Sequence, residues 1–537
     1  MDYDYAVIGS GFGGSVAALR LSEKGYKVVV LEQGNIVTPE DMEEGDNSVR
    51  HLNWLPSLGS AGYFSQDFFQ HVTLVRGIGV GGGSHVYAAV LLKPKDDFYN
   101  DPAWSAMGID WKDELAAHYQ TASSMLGVTD NPASDIQDED LKKTAEKMDA
   151  AQTYGPTPNG IYFGTPEVMA PDPFFDGKGP HRTGCHLCGR CLTGCPHGSK
   201  NTLDKNYLYL AQRLGTAILP FRKVTNILPQ ETGGYELQIK HPLKKFRKYP
   251  PIRTKNIVLA GGVLGTLELL FHCRDISKTM PNVSAELGKV VRTNSEAIVG
   301  VLSDDPELDL TYGTAISSHF YPDDHTHITQ NRFPNGYNFM KFFTGPLVDH
   351  PNPAIRSLKT LGAIVLHPVR FFGSWFAKNW NKRVTILTVM QHLDNQISFK
   401  YGRKASFLFR RGLKSAVVKG KSAPTFLPVA NNAAKTLAEV SGGQPLNILT
   451  ESIGNTATTA HILGGCHMGT TAENGVITTR HELFGYPGIY VTDGAAVSAN
   501  IGANPSLTIT ALAERAMSLI PEAAENSNSG SSGPALS

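Results

Sequence analysis

The pattern of apolar and polar positions is clearest at the start of the chain. An apolar run at residues 5–8 leads into the glycine-rich sequence GSGFGG at 9–14. A segment with helical spacing of its apolar residues follows, and then a second apolar run at residues 28–31 that ends in Glu32. This order predicts a strand, a tight turn, a helix and a second strand parallel to the first.

The glycines of this unit match G-x-G-x-x-G. Gly9 permits the tight turn, Gly11 lets a pyrophosphate approach the backbone, and Gly14 lets the helix pack closely on the strand. The free N–H groups at the helix N-terminus favour the same pyrophosphate. Glu32 can accept hydrogen bonds from a ribose diol and would repel a 2′-phosphate. The unit therefore predicts an adenine-dinucleotide site, for FAD or NAD rather than NADP; a glycine-rich turn without a ligand is the alternative.

Glycine recurs after other strand-like runs. The sequence RGIGVGGGS at 76–84 repeats the G-x-G-x-x-G spacing, but no helix and acidic residue follow it, so we expect a loop passing close to a flat ligand. Residues 256–260 form a strand that runs into Gly261 and a helix. Apolar runs at 297–302 and 384–390, separated by polar loops, predict an antiparallel sheet.

The most apolar stretch, 361–376, is interrupted by His367, Pro368 and Arg370. We interpret it as a core segment, with an interfacial lid as the alternative. No run of about 18 apolar residues occurs, so no membrane-spanning helix is predicted. Residues 522–537 are rich in Ser, Asn and Gly, and we expect them to be disordered.

Composition narrows the class of protein. The chain has 537 residues, 41% of them hydrophobic, which is enough for more than one domain. Acidic and basic residues balance at 49 each, so we expect no nucleic-acid partner. The first strand begins almost at once, which leaves no room for a signal peptide. We therefore expect a cytoplasmic protein.

Four of the six cysteines lie close together. Cys185, Cys188, Cys191 and Cys195 form C-x₂-C-x₂-C-x₃-C-P, the spacing of bacterial ferredoxins. We predict a [4Fe-4S] or [3Fe-4S] cluster here; a zinc site, labile disulfides and four buried thiols are the alternatives. A cluster would pass electrons one at a time to a quinone or a protein acceptor.

Five motifs, in this order, resemble the glucose–methanol–choline (GMC) family of FAD oxidoreductases, in particular its cholesterol oxidase-like branch. They are GSGFGGS at 9, RGIGVGGGS at 76, VLAGGVLGT at 258, HILGGCHMG at 461 and YVTDGAAVSANIGANPSLTITALAER at 490. The resemblance implies an α/β protein: an FAD-binding Rossmann-like domain, with a parallel sheet and a β-meander, and an α+β substrate domain built on an antiparallel sheet. The implied FAD domain comprises 1–95, 200–295 and 455–521. The implied substrate domain comprises 96–199 and 296–454 and includes the cysteine-rich loop 185–196.

The resemblance also implies cofactor contacts. Carried over to this sequence, the contacts are Gly9, Gly11, Gly14, Glu32, Gly83, Tyr87, Ala88, Val224, Gly261, Asp493 and Gly494. Tyr87 departs from the cholesterol oxidase pattern, which has Asn there, so a polar contact beside the isoalloxazine is altered.

For catalysis, the resemblance implies His461 as the base and Asn504 as its partner. An imidazole can accept the proton of an alcohol near neutral pH while the hydride moves to flavin N5. The implied substrate is a bulky hydrophobic alcohol, a sterol such as cholesterol, with O₂ or a quinone or protein as electron acceptor. An iron–sulfur-linked dehydrogenase for a non-sterol alcohol and a lyase or decarboxylase on the same fold are the alternatives. Peripheral membrane contact is left open because the substrate is a lipid.

Cholesterol oxidases also shift a double bond with a carboxylate base in the substrate domain. No acidic residue lies between Asp349 and Asp394, where the resemblance would place that base. Glu296 and Asp394 are the nearest substitutes, and neither fits the motif. We therefore expect no isomerase activity.

Overall fold

Two seven-stranded sheets organise the protein. The computed structural model describes residues 1–403 and 411–524. In the first sheet, the strand Tyr3–Ile8 lies between two parallel neighbours and is largely buried. A strand covered on both faces reads as a continuous apolar run, which is the pattern at the start of this chain. The strand order of this sheet is Ala217–Leu219, Val28–Leu31, Tyr3–Ile8, Lys248–Leu259, Tyr235–Lys240 and Lys223–Pro229, with Ile489–Val491 paired in parallel with Lys248–Leu259.

The second sheet is antiparallel throughout the described residues. Its central strands alternate side chains between the two faces, and the helix Pro428–Ser441 packs on one face. The opposite face turns towards the first sheet and lines a large cavity. The strand order is Thr344–Pro346, Gly443–Ile448, Ala297–Ser303, Val384–Gln391, Thr326–Asn331, Ser318–Phe320 and Gly155–Pro156.

Smaller sheets and helices complete the fold. One sheet pairs Arg411–Val417, Ile397–Arg403, Val291–Arg292 and Leu463–Gly464, and another pairs Ala457–Thr459, Val72–Gly77 and Phe64–Phe68. Two-stranded pairs join Met169–Ala170 with Arg182–Thr183, Trp54–Leu55 with Ser60–Ala61, and Val128–Asp130 with Pro158–Gly160. Among the described residues, the α-helices of eight residues or more are Phe12–Glu23, Pro39–Asn47, Trp111–Met125, Ile136–Lys147, Gly262–Phe271, Pro353–Leu366, Pro368–Trp375, Pro428–Ser441 and Ser506–Ser518.

The expected fold class is confirmed: a mixed parallel sheet with a β-meander stands beside an antiparallel sheet. Strands of the first sheet come from residues 3–31, 217–259 and 489–491, and those of the second from 155–156 and 297–448. The domain boundaries drawn from the sequence stay a prediction. Most of the tail expected to be disordered, residues 525–537, lies outside the described residues.

The interpretation of residues 361–376 as a core segment is wrong. Pro368 cannot continue a helix because it lacks the N–H, so the stretch divides into the helices Pro353–Leu366 and Pro368–Trp375. Most of their large apolar side chains are exposed, including Val365, Leu366 and Val369. Within the described ranges, none of the helices has the length and apolar character needed to cross a bilayer.

Candidate active site

One cavity of about 680 Å³ extends between the two sheets, within the size range of small-molecule sites. It begins at the glycine-rich turn after the first strand and ends at His461 on the antiparallel sheet side. Gly14 does not line this cavity, but every other candidate cofactor or catalytic residue does. These are Gly9, Gly11, Glu32, Gly83, Tyr87, Ala88, Val224, Gly261, His461, Asp493, Gly494 and Asn504.

The glycine-rich turn is held by close backbone contacts. A Cβ on Gly9 would lie 2.2 Å from the carbonyl oxygen of Ala260, and its φ of +101° is strained for other residues. A Cβ on Gly14 would lie 2.1 Å from the carbonyl oxygen of Gly9, so Gly14 packs the helix on the strand and does not face the cavity. Gly11 has open space instead, where a ligand could approach.

Glu32 is buried at the end of the second strand, beside this turn. Its carboxylate accepts hydrogen bonds from the backbone N–H and hydroxyl of Ser10, at 3.1 and 2.7 Å, and from the N–H of Gly34 at 2.8 Å. Burial raises the pKa of Glu32, and these donors oppose the shift. The same carboxylate lines the cavity, so it is placed to meet a ribose.

Two further parts of the cavity wall come from segments that are distant in the sequence from the glycine-rich turn. Gly261 precedes the helix Gly262–Phe271 and brings a second helix N-terminus to the cavity. Asp493 accepts hydrogen bonds from the Thr266 hydroxyl at 2.5 Å and from the N–H of Ala495 at 2.9 Å. Burial raises the pKa of Asp493 to about 6.

Tyr87 forms part of the middle of the cavity wall. Its hydroxyl donates to the carbonyl of Asn201 at 3.0 Å, and its ring meets Phe12 edge-on. Lys200 fixes the same segment, since its ammonium donates to the carbonyls of His85 and Tyr87. The hydroxyl is therefore engaged by protein backbone, while Tyr87 lines the cavity.

At the other end of the cavity, His461 lies between an amide and a carboxylate. Its Nε2 is 3.4 Å from the side-chain nitrogen of Asn504, and its Nδ1 is 3.1 Å from Oε2 of Glu296. The same Oε2 accepts from the Thr459 hydroxyl at 2.6 Å and from the N–H of Ala460 at 3.1 Å. Glu296 is thus fixed by the segment that carries the histidine. Sequence reasoning missed this pairing, because it considered Glu296 only as a base for isomerisation.

A second buried carboxyl stands behind this pair. Burial and repulsion from Glu296 raise the pKa of Glu451 well above its ordinary value, which favours its neutral form. Asp394, the other acid considered for isomerisation, instead pairs with Arg292 at 2.7 Å and Lys421 at 2.6 Å. Neither Glu451 nor Asp394 lines the cavity.

The cavity is lined mainly by apolar groups. Ile298, Ile386 and Thr388 line it from two adjacent strands of the antiparallel sheet, and Ile386 and Thr388, two apart in one strand, point to the same face. The other apolar side chains that line the cavity include Phe64, Leu74, Val75, Val86, Leu192, Ile316, Phe333, Tyr337, Met340 and Ile462.

The four cysteines of loop 185–196 line a separate small cavity of about 20 Å³ and form no disulfide. Burial raises the pKa of Cys191 to about 11 and also raises those of Cys185 and Cys188. In residues 1–403 and 411–524, no group of three or more His, Cys, Asp or Glu side chains is arranged to hold a metal ion. The structure therefore does not support the iron–sulfur cluster predicted at Cys185, Cys188, Cys191 and Cys195.

Comparison with known proteins agrees with this architecture. Residues 7–50 match the model of an NAD(P)-binding Rossmann-like domain, and residues 381–513 match that of GMC oxidoreductase. A cholesterol oxidase of Acinetobacter baumannii is 39% identical over 97% of this chain and 94% of its own length. The chain belongs to the GMC oxidoreductase family. A cholesterol oxidase of Mycobacterium tuberculosis (strain CDC 1551 / Oshkosh) is 41% identical to this GMC protein, over 98% of this chain and 92% of its own.

The solved structure of pyridoxine 4-oxidase from Mesorbium loti shares the fold of this GMC protein. It superimposes with a TM-score of 0.62, at 14% identity, over 96% of this chain and 98% of that one. Family membership makes the protein an FAD-dependent alcohol oxidoreductase. The cavity fits FAD, since two helix N-termini, the open side of Gly11 and the Glu32 carboxylate meet at one end. Individual contacts with FAD stay predictions.

Proposed function

We propose that this GMC oxidoreductase oxidises the CH–OH group of a bulky hydrophobic alcohol, with a sterol as the leading substrate and O₂ as the electron acceptor. The observation that carries the proposal is His461, which stands between Asn504 and Glu296 at the apolar end of the cofactor cavity. The two relatives of about 40% identity, both named cholesterol oxidases, support the choice of substrate and acceptor.

In the proposed reaction His461 takes the hydroxyl proton of the alcohol on Nε2, the nitrogen that faces Asn504. The Asn504 amide can donate to or accept from the substrate oxygen and so fix its position. FAD, when bound, supplies the acceptor for the hydride that leaves the alcohol carbon.

Glu296 is a positioning residue in this proposal. A carboxylate beside Nδ1 favours the tautomer that carries its proton there, and it leaves the Nε2 lone pair free to accept a proton. It also stabilises the imidazolium that forms when the alcohol loses its proton, as the buried aspartate does in the Ser-His-Asp triad.

The substrate class follows from the lining of the cavity. Aromatic and aliphatic side chains form much of the cavity lining, and its polar members include Asn331 and Thr388. Asn331 donates to the Thr388 hydroxyl at 2.9 Å, so these two polar groups partly satisfy each other. Such a lining favours an alcohol whose body is apolar and whose single hydroxyl reaches the histidine.

The test is anaerobic addition of cholesterol to the FAD-loaded protein while the visible flavin absorbance is recorded. We expect the absorbance to fall with the parent protein and, in air, hydrogen peroxide to form with each turnover. In His461→Ala the rate at which the flavin absorbance decreases should be about 10²–10⁴-fold lower, the usual contribution of a general base.

The flavin content of each preparation is the control, because His461→Ala must retain FAD for the comparison to hold. Flavin that stays oxidised while cholesterol is consumed would indicate a lyase and contradict the proposal. Reduction without peroxide formation in air would contradict the assignment of O₂ as acceptor.

A further inference from the structure

The helix Pro353–Leu366 has the reverse of the usual orientation of a surface helix, and the helix Pro368–Trp375, which buries Phe371, follows it directly; the two are here called the apolar hairpin. A surface helix normally directs its apolar stripe to the core and its polar face to water. In the first of these helices the buried side chains are Arg356 and Thr360, whereas Leu358 and Val365 are 68% and 76% exposed. The second helix continues this surface with Val369, which is 86% exposed.

The inverted orientation is fixed by polar anchors. The guanidinium of Arg356 is almost completely buried and donates to the His350 carbonyl at 3.0 Å, the Thr425 hydroxyl at 2.8 Å and the Asn455 side chain at 3.1 Å. The Trp375 indole N–H donates to the Thr344 carbonyl at 2.9 Å. Rotating the helices to bury their apolar face would break these bonds inside the protein, at a cost for each unpaired buried group.

The exposed apolar patch is continuous across both helices. Its members are Ile355, Leu358, Leu361, Val365, Leu366, Val369, Phe372 and Phe376, with Phe342 beside them. Phe342 contacts the ring of Trp375 and belongs to the helical turn Asn335–Phe343, whose Tyr337 and Met340 line the large cavity. The patch therefore lies directly behind one wall of the cavity.

The segment that carries the patch has charges of one sign. Lys359, Arg370 and Lys378 are exposed, and the described part of the chain offers none of them an ion pair. No acidic residue occurs between Asp349 and Asp394, and Asp349 is itself paired with Lys435. An apolar helical face with exposed basic residues is the composition of helices that lie in the interface of an anionic bilayer.

We infer that the apolar hairpin docks the protein on the surface of a bilayer containing anionic lipid, with its apolar side chains in the headgroup boundary and Lys359, Arg370 and Lys378 against the headgroups. A second copy of the chain fits this surface less well. In a two-fold symmetric dimer the same patch faces itself, which would bring the three cations of each copy towards those of the other. Anionic headgroups remove that repulsion.

The test is co-sedimentation of the FAD-loaded full chain with vesicles of phosphatidylcholine alone or with phosphatidylserine, in both cases without sterol. Because no alcohol is present, the result is independent of the proposed activity. We expect binding to the phosphatidylserine vesicles that weakens as salt is raised, since screening reduces attraction between exposed charges. Absence of binding at low salt would overturn the inference.

Two variants separate the apolar and ionic contributions. Val369→Gln/Phe372→Gln/Phe376→Gln should abolish binding to both kinds of vesicle. Arg370→Gln/Lys378→Gln should weaken binding to phosphatidylserine vesicles by roughly five-fold for each cation removed and change binding to phosphatidylcholine little. Val369, Arg370, Phe376 and Lys378 are exposed, and Phe372 is 46% exposed. Circular dichroism and flavin content verify that each variant keeps the fold.

The matched control is Lys245→Gln/Phe246→Gln. Phe246 is 90% exposed and stands among basic residues at the tip of another hairpin, away from the apolar hairpin in sequence. This control should bind as the parent does, and an equal loss of binding would overturn the assignment to residues 353–376. A parent dimer that the triple variant converts to monomers, measured by sedimentation velocity, would instead make the patch a self-association surface and also overturn it.

Discussion

Glu32 and Glu296 are both buried carboxylates at strand ends that line the same cavity, yet they are fixed in different ways. The main partners of Glu32 are Ser10, from its own strand–turn–helix–strand unit, and Gly34, which directly follows that unit; Gly79 adds one contact from a separate loop. The partners of Glu296 are Thr459 and the segment of His461, from a distant part of the chain. Glu32 is therefore largely part of a local cofactor motif, whereas Glu296 acquires its partners only when distant segments of the chain come together.

The largest effect is expected from Glu296→Gln. The amide keeps the size of the side chain but removes the charge beside Nδ1 of His461, so we expect kcat to fall at least about a hundred-fold, while the analogous change in the Ser-His-Asp triad costs about 10⁴. Flavin content and KM should change little. Steady-state kinetics with the alcohol, alongside flavin absorbance, measures this. A proportional loss of bound flavin would mean that Glu296 serves the cofactor end and would remove the distinction from Glu32.

Glu32→Gln should weaken FAD binding and leave kcat nearly unchanged, the reverse of the result expected for Glu296→Gln. The variant loses a charged acceptor for Ser10 and for the ribose, and a hydrogen bond to a charged group contributes about 1.5–3 kcal/mol. We expect the Kd for FAD to rise roughly ten-fold or more, with kcat at saturating FAD close to that of the parent. Titration of the apoprotein with FAD gives the Kd. An unchanged Kd with a lowered kcat would contradict the assignment of Glu32 to the ribose.

The smallest effect is expected from Glu451→Gln, which tests whether any buried acid near His461 matters. The raised pKa of Glu451 already favours the neutral carboxyl, so kcat should stay within about two-fold of the parent. A carboxyl whose pKa is higher in the folded state adds stability below its unfolded pKa, and this is lost as pH rises through the folded pKa. Thermal unfolding at several pH values should therefore show a smaller decline with rising pH in the variant than in the parent.

A kcat loss in Glu451→Gln as large as in Glu296→Gln would show that the effect of Glu296 is not specific to its contact with His461. Together, the three substitutions divide the cavity into a cofactor end, a reacting end and a structural layer behind the latter.

Much of the fold and the cofactor end could be predicted from the sequence. Gly14 has a local cause, since the carbonyl of Gly9 excludes a side chain there, whereas the carbonyl that excludes a side chain at Gly9 belongs to the distant Ala260. The family resemblance also placed His461 and Asn504, which the fold brings to one end of the cavity. The spacing of the cysteines predicted an iron–sulfur cluster that the structure does not support, because spacing along the chain does not by itself fix the arrangement of ligands that a cluster needs.

The sequence by itself determined that an adenine-dinucleotide unit opens the chain, because its strand, turn, helix and acid interact locally. Only the tertiary structure decided that Glu296 faces Nδ1 of His461, because the two are brought together when the segment 457–461 packs beside the strand Ala297–Ser303. It also decided which side of residues 353–376 meets water. The apolar residues are visible in the sequence, but the buried anchors of Arg356 come from segments around His350, Thr425 and Asn455 that only folding assembles.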